Sequence, residues 1–143
     1  MENLHVPYVA VVGHTKCGGV TAALKDATPP CLRQNPVLGG WLANLTQLAK
    51  DLGLTYPDGL AELTEENVKN AMRQVKDYIE GLRVSPSEDL SGRMEPLAMV
   101  TIVGMVYNLE TGDLGEVGDR LVVGVCRRKV TPGVEEYSEE ISL

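Results

Sequence analysis

An α/β fold, with a short, mainly parallel sheet flanked by helices, is the architecture that these 143 residues predict. Three observations point to it. Val6 to Val12 is a continuous apolar run closed by Gly13, the pattern of a strand buried on both faces. Two later stretches, Pro36 to Leu52 and Thr64 to Gly81, space their apolar residues by three and four, which is the helical period. Ala98 to Leu109 is rich in Val, Ile and Met and reads as a second strand. The length suits one hydrophobic core, so a single domain, 1–143, is expected.

After the first strand, Gly18 to Lys25 reads as a helix entered through a glycine turn and stopped before Pro29-Pro30. His14 and Cys17 therefore fall at a strand-to-helix junction. In the next helix Val37, Leu38, Trp41, Leu42, Leu45, Leu48, Ala49 and Leu52 share one face. A loop through 53–59 leads to a third helix whose apolar side is Val68, Met72, Val75 and Ile79, with Thr64 as its N-cap, acidic residues in its first turn and an end near Gly81. Residues 83–96 are polar, contain Pro86, Gly92 and Pro96, and read as an exposed connection. Glu110-Thr111-Gly112-Asp113 has the turn chemistry to fold Leu114 to Val117 back as a short antiparallel partner of the second strand. Leu121 to Val125 is a further strand, and the acidic tail 131–143 is weakly patterned.

Composition narrows the function classes. A net charge of −7 argues against a nucleic-acid surface, which needs clustered Lys and Arg; Arg127-Arg128-Lys129 reads as a solvated strand end. The longest apolar run is far short of the ~20 residues that cross a bilayer, so no membrane span is expected. Met1-Glu2-Asn3-Leu4-His5 resembles neither a secretory signal nor a transit peptide, and a cytoplasmic location follows as the default. Three cysteines without a signal peptide point to reduced thiols, available to a metal or to catalysis, rather than to a disulfide framework. With no Phe, aliphatic side chains must build most of the core.

The chemistry concentrates in Val12-Gly13-His14-Thr15-Lys16-Cys17-Gly18-Gly19-Val20. Imidazole and thiolate are both good ligands for Zn²⁺, and a cysteine at the first turn of a helix lies near the positive end of the backbone dipoles, which favours its thiolate. The glycines fit a backbone that must approach a metal and its ligand closely. Packing alone is the competing reading of a lone His and Cys. Lys16, Tyr107 and Arg128 read as surface or packing residues.

This motif resembles the second zinc motif of the β-class carbonic anhydrases. The similarity continues, in the same order, through Gly39-Gly40-Trp41-Leu42, Glu66-Asn67-Val68 and the segment Val103 to Leu114. The resemblance implies a β-carbonic-anhydrase-like fold missing its first strands, zinc as cofactor, His14 and Cys17 as ligands and catalytic residues, and Gly18 and Gly19 in substrate binding. It implies a lyase in which zinc-activated water attacks CO₂ to give bicarbonate, or a related reaction on another small molecule. The family also carries an earlier Cys-x-Asp-x-Arg segment that supplies a third ligand and orients the fourth position. Only thirteen residues precede His14 here, and none is Cys, Asp or Arg. Cys31 is then the candidate third ligand, ahead of His5 and Cys126; a Cys₂His₂ site shared by two chains is the alternative. Weak or replaced CO₂ hydration is expected. The first strand would have a bare edge, so a homodimer or higher even oligomer is expected, as the family also implies. Two other functions stay open: a metal-free cysteine enzyme with Cys17 as nucleophile and His14 as base, and a non-catalytic oligomeric scaffold.

Overall fold

The computed structural model describes residues 6–29, 36–81 and 95–127. In chain order they form β1 (Tyr8–His14), α1 (Gly18–Ala27), α2 (Pro36–Asp51), α3 (Leu60–Gly81), β2 (Glu95–Tyr107), β3 (Leu114–Glu116) and β4 (Leu121–Arg127). The class is α/β, and within it the sheet is mixed. The long β2 runs parallel to β1 from Tyr8↔Thr101 to His14↔Tyr107, and antiparallel to β3 and β4. The parallel pair is bridged by the three helices, whereas β3 follows β2 after only a tight turn, a connection that permits only the antiparallel sense. β3 and β4 together line one side of β2, interrupted where Val117 donates its amide to the Gly104 carbonyl at 2.9 Å and Gly118 takes a φ of +70°.

Helix α3 covers one face of this sheet. Val68, Met72 and Ile79 pack on Val100, Ile102 and Val123, with Val9, Val11, Val75, Val106 and Leu121 around them. A second cluster, Val20, Leu24, Ala49 and Leu63, joins α1 and α2 to the beginning of α3. Scarce aromatics leave both clusters almost wholly aliphatic, as the composition requires.

The first strand departs from the two-sided burial expected of it. Its residues alternate, with Val9, Val11 and Gly13 turned towards α3 while Tyr8, Ala10, Val12 and His14 are exposed. The apolar run does not alternate in chemistry, so period alone could not reveal that, among the described residues, only one face is covered. Helix α3 also begins earlier than expected. Thr64 is not its N-cap but lies inside it, buried, with its hydroxyl donating to the Leu60 carbonyl at 2.8 Å. Leu63, buried, and Leu60, half-buried, contribute to the second cluster, and their packing extends the helix one turn N-terminal of Glu65 and Glu66. In α2 the packed line is Leu42, Thr46 and Ala49. Trp41 sits about 100° around the helix from Leu42 and is 77% exposed, and Val37 is exposed as well. The expected connection over 83–96 and the tail over 131–143 lie almost entirely outside the described residues, although the last two positions of that connection, Glu95 and Pro96, already belong to β2.

Candidate functional site

β1 and β2 run parallel, and the carboxyl ends of parallel strands are where α/β folds place ligands. His14 closes β1 there, beside Tyr107 on β2. It is exposed, and its Nδ1 lies 2.9 Å from the Thr15 carbonyl oxygen. A carbonyl only accepts, so in the neutral ring Nδ1 carries the hydrogen and Nε2 presents a lone pair. Cys17 caps the N-terminus of α1 with extended backbone angles, φ −64° and ψ 121°, and its side chain makes no capping hydrogen bond. The Cys17 carbonyl instead accepts from the Thr21 amide and the Thr21 hydroxyl, at 3.0 and 2.9 Å, which anchors the residue to the first turn of the helix. The thiol is half-buried beside the second hydrophobic cluster.

Between the two, Thr15 and Lys16 form a tight turn. Lys16 has a φ of +57°, and among the described residues it is the only non-glycine in the left-handed region. The Thr15 amide donates to the Tyr107 carbonyl at 2.9 Å, and the Thr15 hydroxyl accepts the Leu109 amide at 3.0 Å. The Lys16 ammonium pairs with Glu110 at 2.6 Å. The 108–113 turn that supplies these partners is closed on itself. Asn108 donates its amide to the Asp113 carbonyl, its side-chain oxygen accepts the Glu110 amide, and Gly112 takes a φ of +80°.

The two predicted glycines differ in their surroundings. A Cβ added at Gly19 would lie 3.8 Å from the Cys17 sulfur and 3.7 Å from Leu42, whereas one at Gly18 would meet open space. Gly19 therefore borders the thiol. Cys31 and His5 lie outside the described residues, as does Arg128, and Cys126 falls in β4. Imidazole nitrogen and thiolate sulfur are donor types that zinc takes, and two of them make half of a tetrahedral set. Among the described residues no group of three or more His, Cys, Asp or Glu side chains converges to hold a metal. Among the same residues, no helix is long and apolar enough to cross a membrane. Thr15, Lys16 and Glu110 are the site's neighbours that sequence reading missed. Their link spans 94 residues, and no local pattern announces it.

Comparison with known proteins places the chain in a family. The model of the carbonic anhydrase family matches residues 1–114, which includes the turn and all of its partners. The chain is similar to the β-carbonic anhydrase CafA of the fungal pathogen Aspergillus fumigatus, at 26% identity and a TM-score of 0.56, over 81% of this chain and 50% of that one. It is similar in fold to a structure of the tetrameric β-carbonic anhydrases of the filamentous ascomycete Sordaria macrospora, at 20% identity and a TM-score of 0.53, over 84% of this chain and 56% of that one. The chain thus spans about half the length of the structures it matches. No curated protein sequence matches it.

Proposed function

The chain belongs to the β-carbonic anhydrase family, and from that premise we propose that it is a zinc-binding lyase acting on CO₂ and bicarbonate, with His14 and Cys17 as metal ligands. One observation carries the proposal: within the family match, His14 holds its Nδ1 against the Thr15 carbonyl and so offers Nε2, three residues before an uncapped thiol at a helix start. The chemistry that zinc supplies when bound is activation of water as a nucleophile towards CO₂. The chain's own residues hold and orient. The Thr15 carbonyl orients the imidazole, and Gly19, having no Cβ, keeps clear the side of the Cys17 sulfur that it borders. With two protein ligands in the described residues, turnover by this chain alone should be slow unless Cys31 or a second chain completes the set.

Metal analysis of protein purified without added zinc tests the reading. Zinc should co-purify or be taken up from solution, and His14→Ala or Cys17→Ser should abolish it. Wild-type protein that neither carries nor takes up zinc would sink the proposal. Stopped-flow CO₂ hydration with the loaded protein then measures activity: slow turnover that disappears in Cys17→Ser is expected. Turnover untouched by that substitution would place the chemistry elsewhere in the chain.

We also propose an even-numbered homo-oligomer as the working form. The support is a sheet face on which no helix packs among the described residues, where Tyr8, Val12, Met99, Tyr107, Leu114 and Val122 lie exposed on the side opposite α3.

A further inference from the structure

We propose that Thr15 is the positioning residue of the His14–Cys17 pair, and that it acts as the joint through which the 108–113 turn sets the orientation of the His14 ring. The inference rests on the zinc reading given above. All three polar groups of Thr15 are committed in different directions: its amide to the Tyr107 carbonyl, its hydroxyl to the Leu109 amide, and its carbonyl to His14 Nδ1. The first two fix the residue to the end of β2 and to the turn that follows. The third passes that fixed position to the imidazole, choosing the Nδ1–H tautomer and leaving Nε2 for a ligand. A hydrogen-bond partner to the non-ligating nitrogen is the usual means by which a protein aims a metal-binding histidine.

A second tie acts on the next residue. Lys16 occupies a left-handed conformation that a lysine does not adopt without compensation, and it is there that the chain reverses between His14 and Cys17. Its ammonium reaches Glu110 at 2.6 Å, with both side chains 64% exposed. An exposed ion pair contributes little to overall stability. Its consequence is geometric, because it draws the crest of the ligand turn onto the turn that also holds Thr15. That second turn is closed by its own bonds, from Asn108 to Asp113 and from Thr111 to Asp113, so it acts as a formed support rather than a loose loop.

The test uses the full chain with three substitutions. Thr15→Val keeps the branched shape and removes the hydroxyl acceptor; Thr15→Ser restores that acceptor; Glu110→Gln cuts the second tie on an exposed side chain. Zinc affinity is read by competition with a chelator, and the His14 ring nitrogens are read by NMR in metal-free protein with the imidazole neutral. Thr15→Val should weaken zinc binding by about 10-fold and turn the wild-type Nδ1–H tautomer into a mixture. Thr15→Ser should recover both readouts, and Glu110→Gln should weaken zinc by a few-fold. Unchanged affinity and an unchanged tautomer in Thr15→Val would overturn the inference. If Thr15→Val fails to fold, Thr15→Ala, which removes the same hydroxyl with a smaller side chain, decides: wild-type zinc affinity and tautomer there would equally overturn it. Failure of the wild-type protein to bind zinc would instead sink the zinc reading. The tautomer comparison would then decide the positioning role by itself.

Discussion

Gly104 sits where three elements meet, and a methyl group there has nowhere to go. An added Cβ would press on the Met72 sulfur, approach the Val117 carbonyl oxygen to 2.9 Å and the Val68 Cγ1 to 3.0 Å. Met72 can swing away, but the carbonyl belongs to the backbone that ends β3. Gly104→Ala should therefore cost about 3 kcal/mol, the upper end of ordinary overpacking, measurable as a lowered urea midpoint at unchanged m-value. Two buried threonines make a second comparison. Thr64 satisfies its hydroxyl on the Leu60 carbonyl, while the Thr46 hydroxyl is buried without a partner among the described residues. Thr46→Val should stabilise the protein by up to about 1 kcal/mol, because a methyl replaces a desolvated hydroxyl. Thr64→Val should be neutral or mildly destabilising, and thermal melts of the two variants give the order. Legibility at this scale follows the same division. His14 and Cys17 could be singled out as candidate ligands because ligand types, spacing and flanking glycines are all local. Thr15, Lys16 and Glu110 could not, since their meaning depends on a contact between two turns far apart in sequence.

Among the elements, α3 bears on the most neighbours: it packs on β1, β2 and β4 through Val68, Met72 and Ile79 and on α1 through Leu63. Its apolar positions at i, i+4 and i+11 from Val68 were plain in the sequence, because a helix lying on a sheet needs just that stripe. Its start was not plain, because Thr64-Glu65-Glu66 imitates a cap and only the packing of Leu60 and Leu63 decides otherwise. Strand β1 shows the converse. Pattern located it correctly, yet an unbroken apolar run is silent about whether each face has cover. Met72 is 2% exposed and lies between the helix and Gly104. Met72→Ala should cost about 2–5 kcal/mol, seen as a fall in the urea midpoint. A loss below about 1 kcal/mol would mean that the interface between α3 and the sheet collapses around the gap far more readily than this packing implies.

For the whole molecule the open question is what meets the face of the sheet that α3 does not cover. The registers place Tyr8 and Val12 of β1, Met99, Met105 and Tyr107 of β2, Leu114 of β3 and Val122 of β4 on that side. Tyr8, Met99, Leu114 and Val122 are each more than half exposed. Large exposed apolar side chains gathered on one sheet face in this way mark an association surface in a folded protein. The edge of β1 adds to it. Pro7 and Thr15 direct their backbone bonds towards β2, so the intervening even-numbered residues direct theirs outward, to an edge with no strand beside it among the described residues. A net charge of −7 opposes association only over the distance at which salt leaves charges unscreened. Light scattering at low micromolar concentration and physiological salt should accordingly report a mass at least twice 15.5 kDa. Val122→Glu places a charge on the exposed face, on a side chain that the chain's own core does not use, and should shift the population towards monomer without lowering the helical content. A wild-type protein that is a monodisperse monomer would show that this face stays solvated, and a site completed by a second chain would fall with it.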